Sequence, residues 1–374
     1  MGMVLKRCRY VVKSFKPFQI AEFADIVIDN GVVTCVGNCA YSQEFNVLEC
    51  DDSIAMPGLV SMHTHALPEK DYVDNSINVV KMVLEQLTRY GYTAIHIVDV
   101  DTDMLEDACR IAMKIGVRIS IGPIITSSKD LNKLSHLKHF KKNLYCIPSI
   151  NIPSAEDVDA NILTAVKEFV STYNPSIHIH ITSSESIAKT LSYYRRVGSW
   201  PITALDNLGL LTKNTCIAHA SWITTWEIER IRERGSCIAL APFADAMKGV
   251  HGVAHPALFD IEKICIGIDN PWHRPSPSVL LDIISLQAVY SSKTWGIYPD
   301  MQQILHYATT LGYSVMGIEA GVIEPGKRAD IAVLHANQHD LDKSLGGFLF
   351  RGLSNYTKYT IIEGKLVWKY LHSM

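Results

Sequence analysis

The chain has 374 residues, of which 48% are hydrophobic and 20% are charged, and its formal net charge is −3. These values are typical of a globular protein, and the charge balance favours neither nucleic acid nor an anionic membrane as a partner. No apolar run reaches the length of a membrane span, and the N-terminus has no signal-peptide pattern. We therefore expect a cytoplasmic protein with a small-molecule substrate and no nucleic-acid or membrane partner, while a homo-oligomer stays open.

The cysteine pattern also favours the cytoplasm. Nine cysteines, an odd number, stand mostly in apolar strand-like runs, as Cys146 and Cys216 do. This pattern predicts reduced thiols. Cys35 and Cys39 form a C-x3-C pair without a second pair nearby, so we expect two free thiols near a turn rather than a zinc site.

The first fifty residues have β character. Residues 4–50 consist of short β-segments separated by turns, and Asn30-Gly31 is a strong hairpin signal within residues 24–33. From Met56 onwards the pattern changes, because apolar strand-like runs alternate with longer amphipathic segments. That alternation is typical of βα units around a parallel sheet.

Eight such runs can be counted. They are Gly58–His63, Tyr92–Val100, Val117–Ile124, Leu144–Ile150, Ser176–Ile181, Thr215–Ala220, Ser236–Pro242 and Ile264–Asp269. Eight strand–helix units in about 250 residues predict a closed (β/α)8 barrel of the α/β class. An open doubly wound sheet is the alternative, but it requires a glycine-rich loop after the first strand. His63-Thr64-His65 occupies that place instead.

The C-terminal part returns to β character in residues 327–334 and 359–368. We expect these strands to pair with the N-terminal ones and to form a small β-sandwich. The predicted domains are therefore a β-sandwich of residues 1–55 plus 323–374 and a barrel of residues 56–322.

Ligand-type side chains stand at the ends of several runs. His63 and His65 share one face of the first run, because side chains alternate along a strand. His180 ends the fifth run, His219 the sixth and Asp269 the eighth. Since the active site of a barrel forms at the C-terminal strand ends, we expect these five side chains on one rim. Imidazoles and carboxylates are suitable ligands for one divalent metal ion.

The fifth run contains a second histidine, His178, on the same face as His180. It lies further from the C-terminal strand end than His180 does. We therefore interpret His178 as a packed, hydrogen-bonded core histidine rather than a ligand.

Together these motifs resemble the amidohydrolase superfamily, within its cytosine-deaminase-like or chlorohydrolase-like branch. The resemblance spans nearly the whole chain and implies a barrel with a β-sandwich built from both termini. The matching segments are residues 57–65, His180, His219, residues 267–269, Ala308-Thr309 and residues 321–330.

The resemblance implies a role for each residue on the rim. His63, His65, His180 and Asp269 would bind one divalent metal ion, zinc first and iron as the alternative. Asp269 would take a proton from the attacking water, and His219 would polarise the substrate or steady the hydroxide. Binuclear members carry a bridging lysine on strand four, and the fourth run here has none, which favours a single metal.

The sequence departs from this branch at Ser183. Relatives place a glutamate there, three residues after the strand-five histidine, and use it to pass a proton to the ring. Glu185 is either a replacement acid or a residue of the next helix start, and both interpretations stay open. Trp272 and Arg274, just after Asp269, are candidate substrate contacts or parts of a surface turn.

Two hypotheses about function follow. The first is a metal-dependent hydrolase of a non-peptide C–N bond, either an aminohydrolase or a cyclic-amide hydrolase. The second is a catalytically silent relative that keeps a metal or binds a ligand. All four ligand positions and His219 are retained, which favours the enzyme, whereas Ser183 keeps the alternative open.

Overall fold

The structure is a computed structural model that describes residues 2–68, 77–140, 143–181, 187–248, 256–293, 299–336 and 344–370. Within these ranges, the strands form two sheets of eight strands each. None of the described helices is long and apolar enough to cross a membrane.

The strands fall into three groups along the chain. Five precede the barrel: β1 (Met3–Phe15), β2 (Phe18–Asp29), β3 (Val32–Gly37), β4 (Asn46–Glu49) and β5 (Ser53–Pro57). Eight form it: β6 (Leu59–Thr64), β7 (Tyr92–Ile97), β8 (Arg118–Ile121), β9 (Cys146–Ile152), β10 (Ser176–Ile181), β11 (Thr215–His219), β12 (Cys237–Leu240) and β13 (Ile264–Ile266). Three follow it: β14 (Ile331–His335), β15 (Tyr359–Ile362) and β16 (Lys365–Lys369).

Most of the helices lie between the barrel strands. These are α1 (Ile77–Arg89), α2 (Leu105–Ile115), α3 (Leu134–His139), α4 (Ala160–Tyr173), α5 (Ile187–Val197), α6 (Pro201–Asn207), α7 (Thr225–Arg234) and α8 (Pro242–Met247). The remainder are α9 (Val279–Lys293), α10 (Met301–His306), α11 (Gly312–Met316) and α12 (Leu345–Ser354). Buried apolar residues of most of these helices pack against the barrel strands in the largest hydrophobic core of the described residues.

The barrel strands pair in chain order from β6 to β13, each parallel to the next. A bridge between Thr64 and Asp269 joins the first strand to the end of the last. The Asp269 N–H donates to the His63 carbonyl at 3.0 Å, and the His65 N–H donates to the Asp269 carbonyl at 2.9 Å. The predicted (β/α)8 barrel is therefore confirmed, and its closing seam lies among the predicted ligands.

The strands from both chain ends form one hydrogen-bonded sheet in the order β16-β15-β14-β5-β1-β2-β3, with β4 beside β1. The antiparallel pair of β5 and β14 joins the two chain ends, as predicted. The hairpin predicted at Asn30-Gly31 is present between β2 and β3. The predicted strand-like run at 359–368 is itself a hairpin, because Glu363 and Gly364 have φ values of 53° and 67° and reverse the chain.

Capping residues set two of the helix starts. The Thr224 side chain accepts from the Glu227 N–H, and Glu227 reaches back to the Thr224 N–H, which forms a capping box at the start of α7. Helix α4 begins at Ala160. Asp159 accepts from the Asn161 N–H at 2.8 Å and caps α4 there.

A buried ionic cluster joins the N-terminal end of the barrel to the terminal sheet. Arg118 begins β8 and is fully buried, and its Nε donates to Asp330 at 2.8 Å. Its two terminal nitrogens donate to the Leu144 carbonyl at 2.7 Å and to the Glu363 carboxylate. We call Arg118, Asp330 and Glu363 the arginine cluster. Together with the Leu144 carbonyl, the cluster gives every nitrogen of the Arg118 guanidinium an acceptor.

The cysteines differ in part from the expectation of free thiols. Cys35 and Cys39 form a disulfide, and so do Cys109 and Cys146, so the prediction is wrong at these four positions. The physical reason is proximity: the Cα atoms lie 6.1 Å and 5.7 Å apart, within bridging range. The second pair joins α2 to β9, a contact that the fold alone creates. The free cysteines are Cys8, Cys50, Cys216, Cys237 and Cys265, all buried.

Candidate metal centre

The end of β6 presents two histidines to the barrel mouth. His63 and His65 are separated by one residue and lie on the same face, with ring centroids 5.1 Å from each other. His180, at the end of β10, brings a third ring to within 4.5 Å of His63 and 5.9 Å of His65. Three predicted ligands from two strands therefore converge.

Asp269 joins them because the barrel closes at this residue. Its Oδ1 lies 3.4 Å from the His63 Nε2 and 3.3 Å from the His65 Nε2. Its Oδ2 accepts from the Lys248 Nζ at 2.8 Å. The carboxylate thus directs one oxygen towards the imidazoles and the other towards a lysine.

Two overlapping groups of side chains could hold a metal ion. The candidate ligand atoms of His63, His65 and His180 all lie within 4.8 Å of one another, and the same is true of His63, His219 and Asp269. His63 belongs to both groups. The structure therefore brings together every histidine and carboxylate that the sequence predicted on this rim.

The backbone at these strand ends is unusual. His219, Ala220 and Asp269 have φ values of 66°, 53° and 58°, in the left-handed region that residues other than glycine rarely adopt. Such conformations cost about 1–3 kcal/mol each and tend to cluster at functional sites. The strain falls on two of the side chains predicted to act in the site.

The charge states suit a cation. Burial lowers the pKa of His63 to about 3 and holds the pKa of His180 well below its ordinary value. Burial raises the pKa of Asp269, but the interaction with His63 and the nearby imidazoles of His219 and His65 outweighs it and leaves that pKa well below its ordinary value. At neutral pH, His63 and His180 are therefore neutral imidazoles and Asp269 is an ionised carboxylate.

The same atoms pass a test of fit to a divalent ion. The His63 Nε2 is buried and makes no hydrogen bond to any part of the chain that the structure describes. A buried polar nitrogen without a partner is costly unless something else satisfies it. Neutral histidine nitrogens and a carboxylate oxygen are the ligands that zinc takes in catalytic sites, which keep one position open for water.

Carboxylates stand behind two of the site histidines, and the sequence did not single them out. Asp245 on α8 lies 2.9 Å from the His219 Nδ1. Burial lowers the pKa of His219, but the Asp245 charge and hydrogen bond reverse this and raise it above its ordinary value. Asp99 lies 3.6 Å from the His65 Nδ1 and accepts from two backbone N–H groups. The only sequence signal was a pair of acidic residues shortly after strand ends.

The remaining candidates are Ser183, Glu185, Trp272 and Arg274. Ser183 and Glu185 fall outside the described residues. The Trp272 side chain lines a small cavity of about 220 Å³ with residues of α1, among them Met82 and Val83. Arg274 donates to three backbone carbonyls and, at 2.8 Å, to Asp282.

These contacts give Arg274 a structural role, so the candidate substrate contact at Arg274 is wrong. Its guanidinium is buried and fully engaged by the loop that follows β13. The core role expected for His178 is confirmed, because its buried ring lies 2.9 Å from the His63 Nδ1 through its Nε2.

A parallel barrel with histidines and a carboxylate converging at its C-terminal mouth defines a class, the metal-dependent barrel hydrolases. The match to a family model narrows this class. The model of the amidohydrolase family matches residues 54–367, and the chain belongs to that family.

Curated relatives match over most of the chain. A 5-methylthioadenosine/S-adenosylhomocysteine deaminase of Thermococcus onnurineus is 22% identical, over 92% of this chain and 89% of the relative. A 5'-deoxyadenosine deaminase of Methanosphaera stadtmanae is 21% identical, over 93% and 90%. The predicted class, an amidohydrolase-type hydrolase of non-peptide C–N bonds, is confirmed at this level.

Solved structures share the fold. An atrazine chlorohydrolase of Arthrobacter aurescens complexed with zinc superposes with a TM-score of 0.85 at 16% identity, covering 98% of this chain and 95% of the other. An adenosine deaminase of Xanthomonas campestris with bound zinc gives 0.84 at 18% identity, with coverage of 97% and 92%. Both neighbours carry zinc.

Proposed function

We propose that the protein is a zinc-dependent aminohydrolase that removes an exocyclic amino group from a small heterocycle. One ion is held by His63, His65, His180 and Asp269. The observation that carries the proposal is the convergence of these ligand atoms around the buried His63 Nε2, which no other described group satisfies.

The chemistry divides between the ion and the chain. When bound, a divalent ion supplies the nucleophile, because it lowers the pKa of a coordinated water to about 7. The Asp269 Oδ2 faces away from the imidazoles and accepts the proton that this water gives up. His219 holds a proton against Asp245 and donates a hydrogen bond to the substrate atom on which negative charge develops.

The atoms of the reaction balance without a further co-reactant. The water oxygen forms a bond to the ring carbon, and the bond from that carbon to the amino nitrogen breaks. The proton taken by Asp269 is delivered to the departing nitrogen, which leaves as ammonia. Lys248 donates to the Oδ2 of the same carboxylate and fixes its orientation during this transfer.

We propose adenine nucleosides as the first substrates to examine. Support comes from the relatives, which are named as deaminases of 5-methylthioadenosine, S-adenosylhomocysteine and 5'-deoxyadenosine. The serine at position 183 sets a condition on this choice. The substrate ring must need less proton donation than in relatives with a glutamate there, or another group must provide it.

Metal analysis and an ammonia-release screen test the proposal. We expect about one equivalent of zinc per chain and ammonia release from at least one compound among purines, adenine nucleosides, pyrimidines and pterins. His180→Ala should lose both the metal and the activity. His136→Ala, which removes an exposed histidine on α3, is the matched control and should behave as the parent does.

The possible outcomes separate the hypotheses. Full zinc occupancy in His180→Ala would rule out this ligand set. A parent protein that binds zinc but turns over no compound in the screen, including small cyclic amides, would favour the catalytically silent alternative.

A further inference from the structure

A file of polar side chains runs from the metal centre into the barrel interior. The His63 Nδ1 lies 2.9 Å from the His178 Nε2, and the two ring planes differ by only 15°. His96 stacks on His178 with ring centroids 4.4 Å apart. The His96 Nε2 lies 3.0 Å from the Asn151 Oδ1. We call these four residues the interior file.

The inner end of the file fixes its own hydrogen positions. The Asn151 Nδ2 donates to the carbonyls of Ile97 at 3.2 Å and Gly122 at 3.0 Å. Carbonyl oxygens only accept, so this nitrogen is the amide donor and the Asn151 Oδ1 is an acceptor. The His96 Nε2 must therefore carry a proton and donate it to Asn151.

The outer end of the file has two possible arrangements. If the His178 Nε2 carried the proton, it would donate to the His63 Nδ1, and a neutral His63 would then carry its own proton on Nε2. That proton would lie on the nitrogen that faces Asp269 and would block a metal ion. If His63 carries its proton on Nδ1 and donates it to His178, its Nε2 lone pair is free for the metal.

The second arrangement has a visible cost. It places the His178 proton on Nδ1, and that buried nitrogen has no hydrogen-bond partner in the described ranges. A buried donor without a partner destabilises the fold. A histidine at position 178 compensates for this cost if its ring orients the neighbouring His63.

We infer that His178 is a positioning residue that holds His63 in the tautomer and orientation needed to bind the metal. The inference rests on the metal site of the proposed function. The same geometry recurs around the site, because His65 directs its Nδ1 towards Asp99 and His219 directs its Nδ1 to Asp245. At His63 the acceptor is a neutral imidazole instead of a carboxylate. Partners of this kind orient metal-binding histidines, and their loss typically costs 10- to 100-fold in metal affinity.

Two substitutions at one position test the inference. His178→Phe keeps a flat ring but removes the acceptor, whereas the amide oxygen of His178→Gln reaches the place of the histidine Nε2 and keeps it. We expect the zinc dissociation constant, measured by competition with a chromophoric chelator, to rise about 10- to 100-fold in His178→Phe. In His178→Gln it should stay near the parent value. The melting temperature in chelator measures the effect of each variant on the metal-free fold, separately from its effect on zinc affinity.

The same measurement of the zinc dissociation constant provides the control and the results that would contradict the inference. His96→Gln leaves the acceptor of His63 in place and should bind zinc as the parent does. Parent-like affinity in His178→Phe, or an equal loss in the Phe and Gln variants, would overturn the inference. A parent protein that binds no zinc would instead overturn the proposed function, so the two failures are distinguishable.

A second measurement needs no variant. Nitrogen-15 spectra of histidine side chains in the zinc-loaded parent should show His178 as a neutral ring protonated on Nδ1. A His178 ring protonated on Nε2 would contradict the inference, even if the variants do not fold.

Discussion

Two buried polar clusters lie at opposite ends of the barrel strands, and they differ in whether their hydrogen-bonding capacity is used. In the arginine cluster, each nitrogen of the Arg118 guanidinium has a protein acceptor. In the metal centre, the His63 Nε2 has no hydrogen-bond partner in the described chain, although it is fully buried. The arginine cluster satisfies its own hydrogen-bonding groups. The metal centre leaves the His63 Nε2 unsatisfied unless a further group binds there.

This difference is informative because burial and charge alone do not separate the clusters. Both contain carboxylates in positions where an unpaired charge would be costly. The arginine cluster provides its own counter-charges across the interface between the barrel and the terminal sheet. At the metal centre, several imidazoles direct nitrogens to one point. Buried nitrogen or oxygen atoms without a hydrogen-bond partner therefore distinguish a functional cluster from a structural one.

The largest effect is expected from a substitution at Asp245, the carboxylate that lies beside the His219 Nδ1. Asp245→Asn keeps the size of the side chain but removes the charge that raises the pKa of His219. Without it, burial should leave the imidazole neutral, and kcat/KM for ammonia release should fall by about 100- to 10,000-fold. Zinc content should not change.

A carboxylate of the outer shell provides the matched control. Asp206 pairs with Arg230 and Arg234, each at 2.6 Å, away from the metal centre. Asp206→Asn should therefore leave kcat/KM unchanged. If Asp245→Asn lost zinc instead of rate, Asp245 would belong to the scaffold of the metal centre rather than to its chemistry.

The arginine cluster should show the opposite behaviour. Asp330 accepts twice from Arg118 and once from the Glu363 N–H. Removing one partner of a buried ion pair typically costs 3–5 kcal/mol, so Asp330→Asn should lower the free energy of unfolding in urea by about that amount. The zinc affinity of the folded fraction should stay at the parent value. A stable variant with weakened zinc binding would show that the two clusters are not separate in function.

The sequence was sufficient for the barrel and for the residues at its strand ends. Apolar runs set the strands, and the rule that parallel strands present their C-terminal ends on one rim placed His63, His180 and Asp269 together. Neither inference needs the conformation of a loop. Both depend on a periodicity that is local in the chain.

What the sequence could not provide lies in contacts that only the folded loops create. Asp245 reaches His219 because α8 follows β12 after a short turn, and Lys248 reaches Asp269 from the same helix end. The disulfide between Cys109 and Cys146 likewise depends on how α2 packs on β9. Arg274 resembled a substrate contact because its burial against Asp282 is not visible in a Pro-rich turn.

A smaller effect is expected on stability when the pH is lowered, and it comes from the buried histidines His63 and His96. Burial lowers the pKa of His63 to about 3 and the pKa of His96 to about 4. Between these values and the ordinary pKa of about 6.5, the unfolded chain binds protons that the folded chain does not. Stability contributed by such a group is therefore present above pH 6.5 and is lost as the pH falls towards the folded pKa. From pH 7 to pH 5 the loss is about 2 kcal/mol for each of the two histidines.

The measurement must isolate this contribution, because other groups titrate in the opposite direction. Burial raises the pKa of Glu227 and of Asp282, which adds stability as the pH falls. We therefore compare urea unfolding of the metal-free parent with that of His96→Gln at pH 7 and pH 5. The variant should lose about 2 kcal/mol less on acidification than the parent, because glutamine has no proton to gain. Equal losses in the two proteins would mean that His96 is not held neutral in the folded barrel.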